Sequence, residues 1–397
     1  MPLVLDGTTG FSGGGGVATS TALGSSALFT NSTGTNLVAI GYQAGYFTTA
    51  GPNVFVGSQA GYTNSTGTSN IGIGYQALYS NTTAANNTAV GYQALYTNTA
   101  ANNTAFGQSA GYANTTGTFN LFAGQSAGQA NTTGSSNSFV GGLDGSGISA
   151  GRYNTTGSFN TALGGGALGA NTTASNNTAV GYQSAYSLVA SGYGNTMIGR
   201  GSGYSTTSHA NTFVGAGGWA SNGAGYYVTT GYYNTILGGY DGNSSGLDIR
   251  TQNNYCVISD GGGTTASWWQ SGGGWYQKNN SASWSTTSDS RIKENIVDIE
   301  NGLATITALR PVAFDYKIND KKHDIGFIAQ EYQQVLPDQV YETTSGGEEI
   351  KALTNGEPLL NIQQNLVPYL VSAIKELKTI VDAQAAEIVA LKAKVGL

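Results

Sequence analysis

Charge is the scarcest property of this sequence: Asp, Glu, Lys and Arg together make up 9% of it, against roughly a quarter in an ordinary globular domain. A single compact core wrapped in charged side chains is therefore a poor fit. Cys256 is the only cysteine, so no intrachain disulfide staples the fold, and it reads as a small buried hydrophobe. Proline occurs only 6 times in 397 residues. No run of about 18 apolar residues is present, so no membrane insertion by a helix is expected. The start, Met1-Pro2-Leu3-Val4-Leu5-Asp6, lacks the basic and apolar regions of a secretory signal. Synthesis in the cytoplasm and release by a different route, such as lysis, is the expectation. The net charge of −6 argues against nucleic acid as a partner. No residue pattern calls for a cofactor or a metal.

What is present in quantity is Gly, 61 residues of it, with Asn, Thr, Ser and Tyr. This suits stacked repeats, in which each unit buries a little apolar surface against its neighbours. The charge that exists is unevenly placed. Residues 1–287 hold four of the 15 basic side chains (Arg152, Arg200, Arg250, Lys278) and five of the 21 acidic ones (Asp6, Asp144, Asp241, Asp248, Asp260). The remainder falls in residues 288–397, at an ordinary density, and a domain boundary near residue 287 follows.

The first part is an array. In Asn87-Thr88-Ala89-Val90-Gly91-Tyr92-Gln93-Ala94, Gly91 is one of thirteen equivalent glycines from Gly24 to Gly238, spaced 16–18 residues apart with two spacings of 23. The residue before each anchor is apolar (Leu23, Ile40, Val56, Ile73, Val90 and so on) and is expected to point inward on a short strand. Four before the anchor stands Asn in eleven units, suited to a turn that leads into a strand. Three after it stands Ala in most units, which permits close backbone approach. Asn-Thr-Thr-Gly-like stretches read as the opposite turn. A unit of this length accommodates two strands of about four or five residues and two turns, and thirteen rungs make a rod of roughly 60 Å. The Asn-x-Ser/Thr triplets read as compositional. The pattern over about residues 20–240 resembles the head repeats of trimeric autotransporter adhesins and similar repeats in phage tail fibres, although adhesin units are usually shorter.

The two long spacings mark insertions, Leu143–Tyr153 and Trp219–Tyr227. Insertions in a solenoid sit on its surface, and Trp219, Tyr226 and Tyr227 are candidates for stacking on a sugar. The alternative is a longer turn packed on the next rung. Residues 241–287 lose the period and hold four of the five Trp residues. Trp268 and Trp269 either plug a narrow intertwined β-neck or offer a second sugar-binding surface.

At the charge boundary stands Ser288-Asp289-Ser290-Arg291-Ile292-Lys293-Glu294-Asn295-Ile296, which alone reads as a helix start. Leu309-Arg310-Pro311-Val312-Ala313-Phe314-Asp315-Tyr316-Lys317 and Ile325-Gly326-Phe327-Ile328-Ala329-Gln330-Glu331 follow. In this order and spacing the three segments resemble the intramolecular chaperone of the endosialidase family, which ends many tail spikes and fibres. The resemblance spans about residues 286–395. It implies a self-cleaving Ser-Lys dyad at Ser288 and Lys293, with the cut between Thr287 and Ser288. A hydroxyl nucleophile needs a base, and Lys serves only if its pKa falls toward neutrality. Arg291 supplies such a charge or pairs with Asp289. The scissile bond adjoins the nucleophile, so proximity is built in. Gln330 and Glu331 match the motif and read as structural; His323 is a further candidate near the site.

Leu360, Gln363, Val367, Leu370, Ile374, Leu377, Val381, Gln384, Ile388, Leu391 and Val395 alternate by 3 and 4, a heptad seam that Pro368 interrupts early. The alternative is an amphipathic helix packed on its own domain. The expected fold is mainly β: an attachment segment (1–19), a repetitive trimeric β-solenoid shaft (20–240), a neck (241–287), an α+β chaperone (288–358) and a C-terminal coiled coil (359–397). The resemblance implies a homotrimeric virion tail fibre, bound to other tail or baseplate proteins, that contacts a host cell-surface glycan or protein. A polysaccharide-degrading spike and a bacterial surface adhesin are the alternatives. The first would need a carboxylate pair, from a region with five Asp and no Glu.

Overall fold

The computed structural model describes residues 20–189, 191–216, 222–244, 246–271, 275–277, 294–315, 317, 323–343, 357–362 and 366–396. The chain divides into two compact units, Met1–Trp284 and Ser285–Leu397.

The first unit is a β-solenoid. Thirteen short strands, β1 to β13, run Thr21–Leu23, Leu37–Ile40, Asn53–Val56, Asn70–Ile73, Thr88–Val90, Thr104–Phe106, Leu121–Ala123, Ser138–Val140, Thr161–Leu163, Thr178–Val180, Thr196–Ile198, Thr212–Val214 and Thr235–Leu237. Each pairs parallel and in register with the next, so that Thr88 faces Thr104, Ala89 faces Ala105 and Val90 faces Phe106. A small antiparallel pair, β14 (Asn243–Ser244) and β15 (Leu247–Asp248), interrupts the series. A fourteenth parallel strand, β16 (Tyr255–Ser259), then joins β13, and β17 (Thr265–Gln270) and β18 (Trp275–Gln277) follow antiparallel.

The strand register differs by one residue from the expectation. The inward position is two before each anchor glycine: Ala89, Ala105, Phe122, Phe139, Ala179, Met197, Phe213 and Ile236 are all fully buried. The residue directly before the glycine points outward, with Ile73, Phe106, Leu163 and Leu237 exposed and Val90 and Val180 half-buried. Side chains alternate across a strand, so a slip of one moves the whole set to the other face. The interior is narrow, and large and small residues interleave within it. A Cβ on Gly111 would stand 2.4 Å from the Phe122 ring, so that glycine makes room for a ring whose burial contributes about 1.5–3 kcal/mol.

A second difference concerns the opposite wall. Each rung holds one strand, and the residues after the anchor form tight turns instead of a second strand. Gln76 and Leu78 adopt left-handed φ values of 53° and 54°, conformations closed to a strand. This wall still bonds from rung to rung: the Leu78 N–H donates to the Ala94 carbonyl at 3.1 Å and the Leu95 N–H to that of Ala110 at 3.0 Å. The Ala column three after the anchor (Ala44, Ala60, Ala77, Ala94, Ala110, Ala127, Ala167) is fully buried, as its small size requires. The anchors stack directly: at Gly91, φ +139°, a Cβ would lie 2.4 Å from the Gly107 carbonyl oxygen.

Two columns of buried asparagines tie the rungs together. In the first, the side-chain carbonyl of Asn53 accepts the N–H of Asn70 at 2.9 Å, Asn70 accepts that of Asn87 at 3.0 Å, and the series continues through Asn234. Their carbonyls serve the next rung, while some of their amide groups also hold the local turn, as Asn53 Nδ2 does at the Ala50 carbonyl, 2.8 Å, and Asn177 Nδ2 at the Ser175 carbonyl, 3.1 Å. In the second, the Nδ2 of Asn114 donates to Asn98 Oδ1, Asn131 to Asn114, Asn154 to Asn131 and Asn171 to Asn154, each at 2.7 Å. Asn131 and Asn154 are 23 residues apart. The first insertion is thus looped out while the stack continues beneath it.

In the second unit, α1 (Gly302–Ala308) packs on α3 (Val367–Lys394). The Glu376 carboxylate of α3 accepts the N–H groups of Gly302 at 2.7 Å and Leu303 at 3.0 Å, closing the open N-terminus of α1. β19 (Val312–Phe314) and β20 (Asp324–Gly326) form one antiparallel pair; β21 (Val340–Thr343) and β22 (Leu359–Ile362) form another, beside α2 (Ala329–Val335). Leu360, read as the start of the heptad seam, lies in β22 opposite Glu342. The helix begins at Val367, with Pro368 in its first turn, where a missing N–H costs nothing.

Candidate functional site

The proposed cleavage residues Thr287, Ser288, Asp289, Arg291 and Lys293 lie outside the described residues, as does Trp219. The structure does describe what stands around the downstream segments. Arg310, just after α1, makes a two-pronged ion pair with Glu331 on α2, its Nε 2.9 Å from one carboxylate oxygen. The Arg310 hydrogen bonds hold the Glu331 carboxyl below its ordinary range. Glu331 is thus a clamp between two of the three segments that carry the family resemblance. Tyr332 beside it is buried, meets Phe327 edge-on at 5.4 Å and donates its hydroxyl to Gln339 at 3.1 Å. Arg310, Phe327, Ile328, Glu331 and Tyr332 line a cleft of about 170 Å³. Gln330 stands on the same helix. The backbone N–H of His323 donates to Asp315 at 2.8 Å, across the β19–β20 connection.

Residues 294–300, which lead from the proposed cut toward α1, are exposed. Their far end is anchored by α3: the Ser372 hydroxyl donates to the Ile299 carbonyl at 2.7 Å, and Glu376 caps α1 just beyond. Sequence reasoning missed Glu376 and Ser372. They lie more than 70 residues from their partners, and nothing in a helical repeat marks a side chain that caps another helix.

On the shaft, Tyr226 does not project. Its ring stacks on Tyr204 at 4.8 Å, and Tyr204 on Tyr186 at 5.0 Å. Tyr227 is exposed and meets Tyr226 edge-on. A longer ladder runs Phe29, Tyr46, Tyr62, Tyr79, Tyr96, Tyr112, with ring centroids 5.0–5.3 Å apart. These faces are covered by one another, which leaves edges and hydroxyls for solvent. In the neck, Trp268 stacks on Tyr276 at 5.6 Å across β17 and β18, and Trp269 stands opposite Cys256. Both Trp rings are half-buried.

The shaft carboxylates are occupied in turns. Burial pushes the Asp144 carboxyl up, but hydrogen bonds from Ile148, Gln183 and Ser146 outweigh it and leave the group below its usual range. Asp241 accepts the Asn243 N–H, Asp248 pairs with Arg250, and Asp260 accepts the amides of Gly262 and Thr264. Among the described residues no cluster of three metal-ligating side chains occurs, and no helix is long and apolar enough to cross a membrane. No solved structure matches the chain. Residues 288–341, in the second unit of this β-solenoid chain, match the family model described as the chaperone of endosialidase.

Proposed function

We propose that the chain is a homotrimeric virion tail fibre or spike whose solenoid contacts the host surface and whose second unit assembles three chains and then cuts itself away. The observation that carries this reading is the chaperone match at residues 288–341, in a chain whose preceding sequence folds as a fourteen-strand parallel stack. A uniform repeat specifies its own register weakly, so a tail that gathers the chains first answers a physical need. Cleavage between Thr287 and Ser288, by Ser288 with Lys293 as base, would leave a shaft that cannot easily unwind, a kinetic form of stability. The turn duties of Asp144, Asp241, Asp248 and Asp260 speak against a polysaccharide hydrolase.

Attachment is tested by competition. Purified cleaved shaft should block adsorption of the parent virion to host cells. Trp268→Ala, or Tyr227→Ala at the exposed ring of the second insertion, should weaken that block without changing the shaft's size in solution. Shaft that leaves adsorption untouched at saturating concentration would remove the attachment role.

A further inference from the structure

The solenoid's two walls are not equivalent. On the turn wall, aromatic rings cover one another and polar groups bond from rung to rung. On the strand wall no other element among the described residues packs over the outward side chains, several of which are exposed. Two outward columns run its length: the residue directly before each anchor glycine, and the residue three before it, which is Thr in most rungs. Neither column contains a charged residue in any of the fourteen parallel strands. In the first column Ile40, Ile73, Phe106, Leu163, Ile198 and Leu237 are 37–48% exposed. A single exposed Leu needs no explanation, but an uninterrupted apolar ridge does.

Resting on the trimer reading above, we infer that this strand face is the shaft's interface with further copies of the same chain, laid parallel and in register. Three observations select that occupant. The first is area. Fourteen strands at about 4.8 Å spacing and about 10 Å width give a strip of roughly 600 Å², of the order of the ~800 Å² per partner in a stable interface. The second is chemistry: the strip is apolar and hydroxylic, without the charges that would select an unlike partner. The third is independent of the shaft. Along α3 in the other unit, the seam residues Ile374, Leu377, Val381, Ile388 and Leu391 are also exposed. Two unconnected apolar repeats on one chain are both satisfied by the same partner, another copy. Rotation about an axis parallel to the solenoid brings each ridge residue to its own equivalent.

The test places a thiol on each wall of one rung in the full chain, with Cys256→Ser as background. Val90→Cys lies on the ridge; Thr83→Cys is exposed on the turn side of the same rung. Mild oxidation, or a short bismaleimide, should link most Val90→Cys chains into covalent dimers on a non-reducing gel, while Thr83→Cys stays as single chains. Light scattering of the parent separates the two failures. If the parent is trimeric and Val90→Cys does not link, the face assignment is wrong and the ridge serves another surface. If the parent is a monomer, the trimer reading falls with it.

Discussion

At the scale of the residue, the shaft is held by side chains that a propensity table ranks poorly. Asn114 is fully buried, donates to Asn98 Oδ1 and the Gly117 carbonyl, and accepts from Asn131. A buried amide earns its place only when its groups are bonded. Where the column ends, the cost is visible: Leu188 follows Asn171, and the Asn171 Oδ1 has no partner. Asn114→Ala removes three buried hydrogen bonds at once, although Asn103 still donates to Asn98 Oδ1 and the Gly117 carbonyl, and Asn131 still donates to the Gly134 carbonyl. At about 0.5–1.5 kcal/mol net for each hydrogen bond lost, a loss of about 2–4 kcal/mol is expected. Denaturant unfolding followed by far-ultraviolet circular dichroism should show it as an earlier midpoint. An unchanged midpoint would mean the ladder is decorative. The register error belongs to this scale too. Ala89 and Val90 are both apolar, and size alone favours the larger as the core residue. In this rung the interior takes the smaller side chain, while other rungs place Phe122, Phe139, Met197, Phe213 or Ile236 at the same position.

At the scale of the element, α1 depends on a side chain it does not own. The Leu303 N–H, with those of Gly302 and the Ser372 hydroxyl, holds the Glu376 carboxyl below its usual range. A depressed carboxyl pKa contributes stability above the unfolded-state value, here near 4.5, and that contribution disappears as pH falls through the folded-state value. Glu331, lowered by Arg310, acts in the same window. The melting temperature of the second unit should therefore fall on acidification below about pH 4.5. Glu376→Gln and Glu331→Gln should each remove part of that dependence. Parallel curves for parent and both variants would show that neither carboxylate matters to folding. The amide clamp was illegible in sequence because its partners are joined only by the tertiary fold. The same holds for Leu360, whose spacing fits the heptad but whose strand is fixed by pairing with Glu342.

At the scale of the whole molecule, the 17-residue period and the mainly β architecture were legible because repetition writes the same demand thirteen times. The single strand per rung was not, since left-handed Gln76 and Leu78 are imposed by stacking on neighbouring rungs and no local signal announces them. The family match was legible through three short segments, two of which the Arg310–Glu331 ion pair joins. The central claim is that this unit is a self-releasing assembly device. Intact-mass spectrometry of freshly purified protein, run beside light scattering on the same sample, tests it most directly. The parent should yield two fragments, of residues 1–287 and 288–397, without added protease and independently of dilution once trimers exist. Ser288→Ala and Lys293→Ala should remain full-length and still assemble. A trimeric parent whose only mass is that of the intact 397-residue chain would contradict the account and make the second unit a permanent cap.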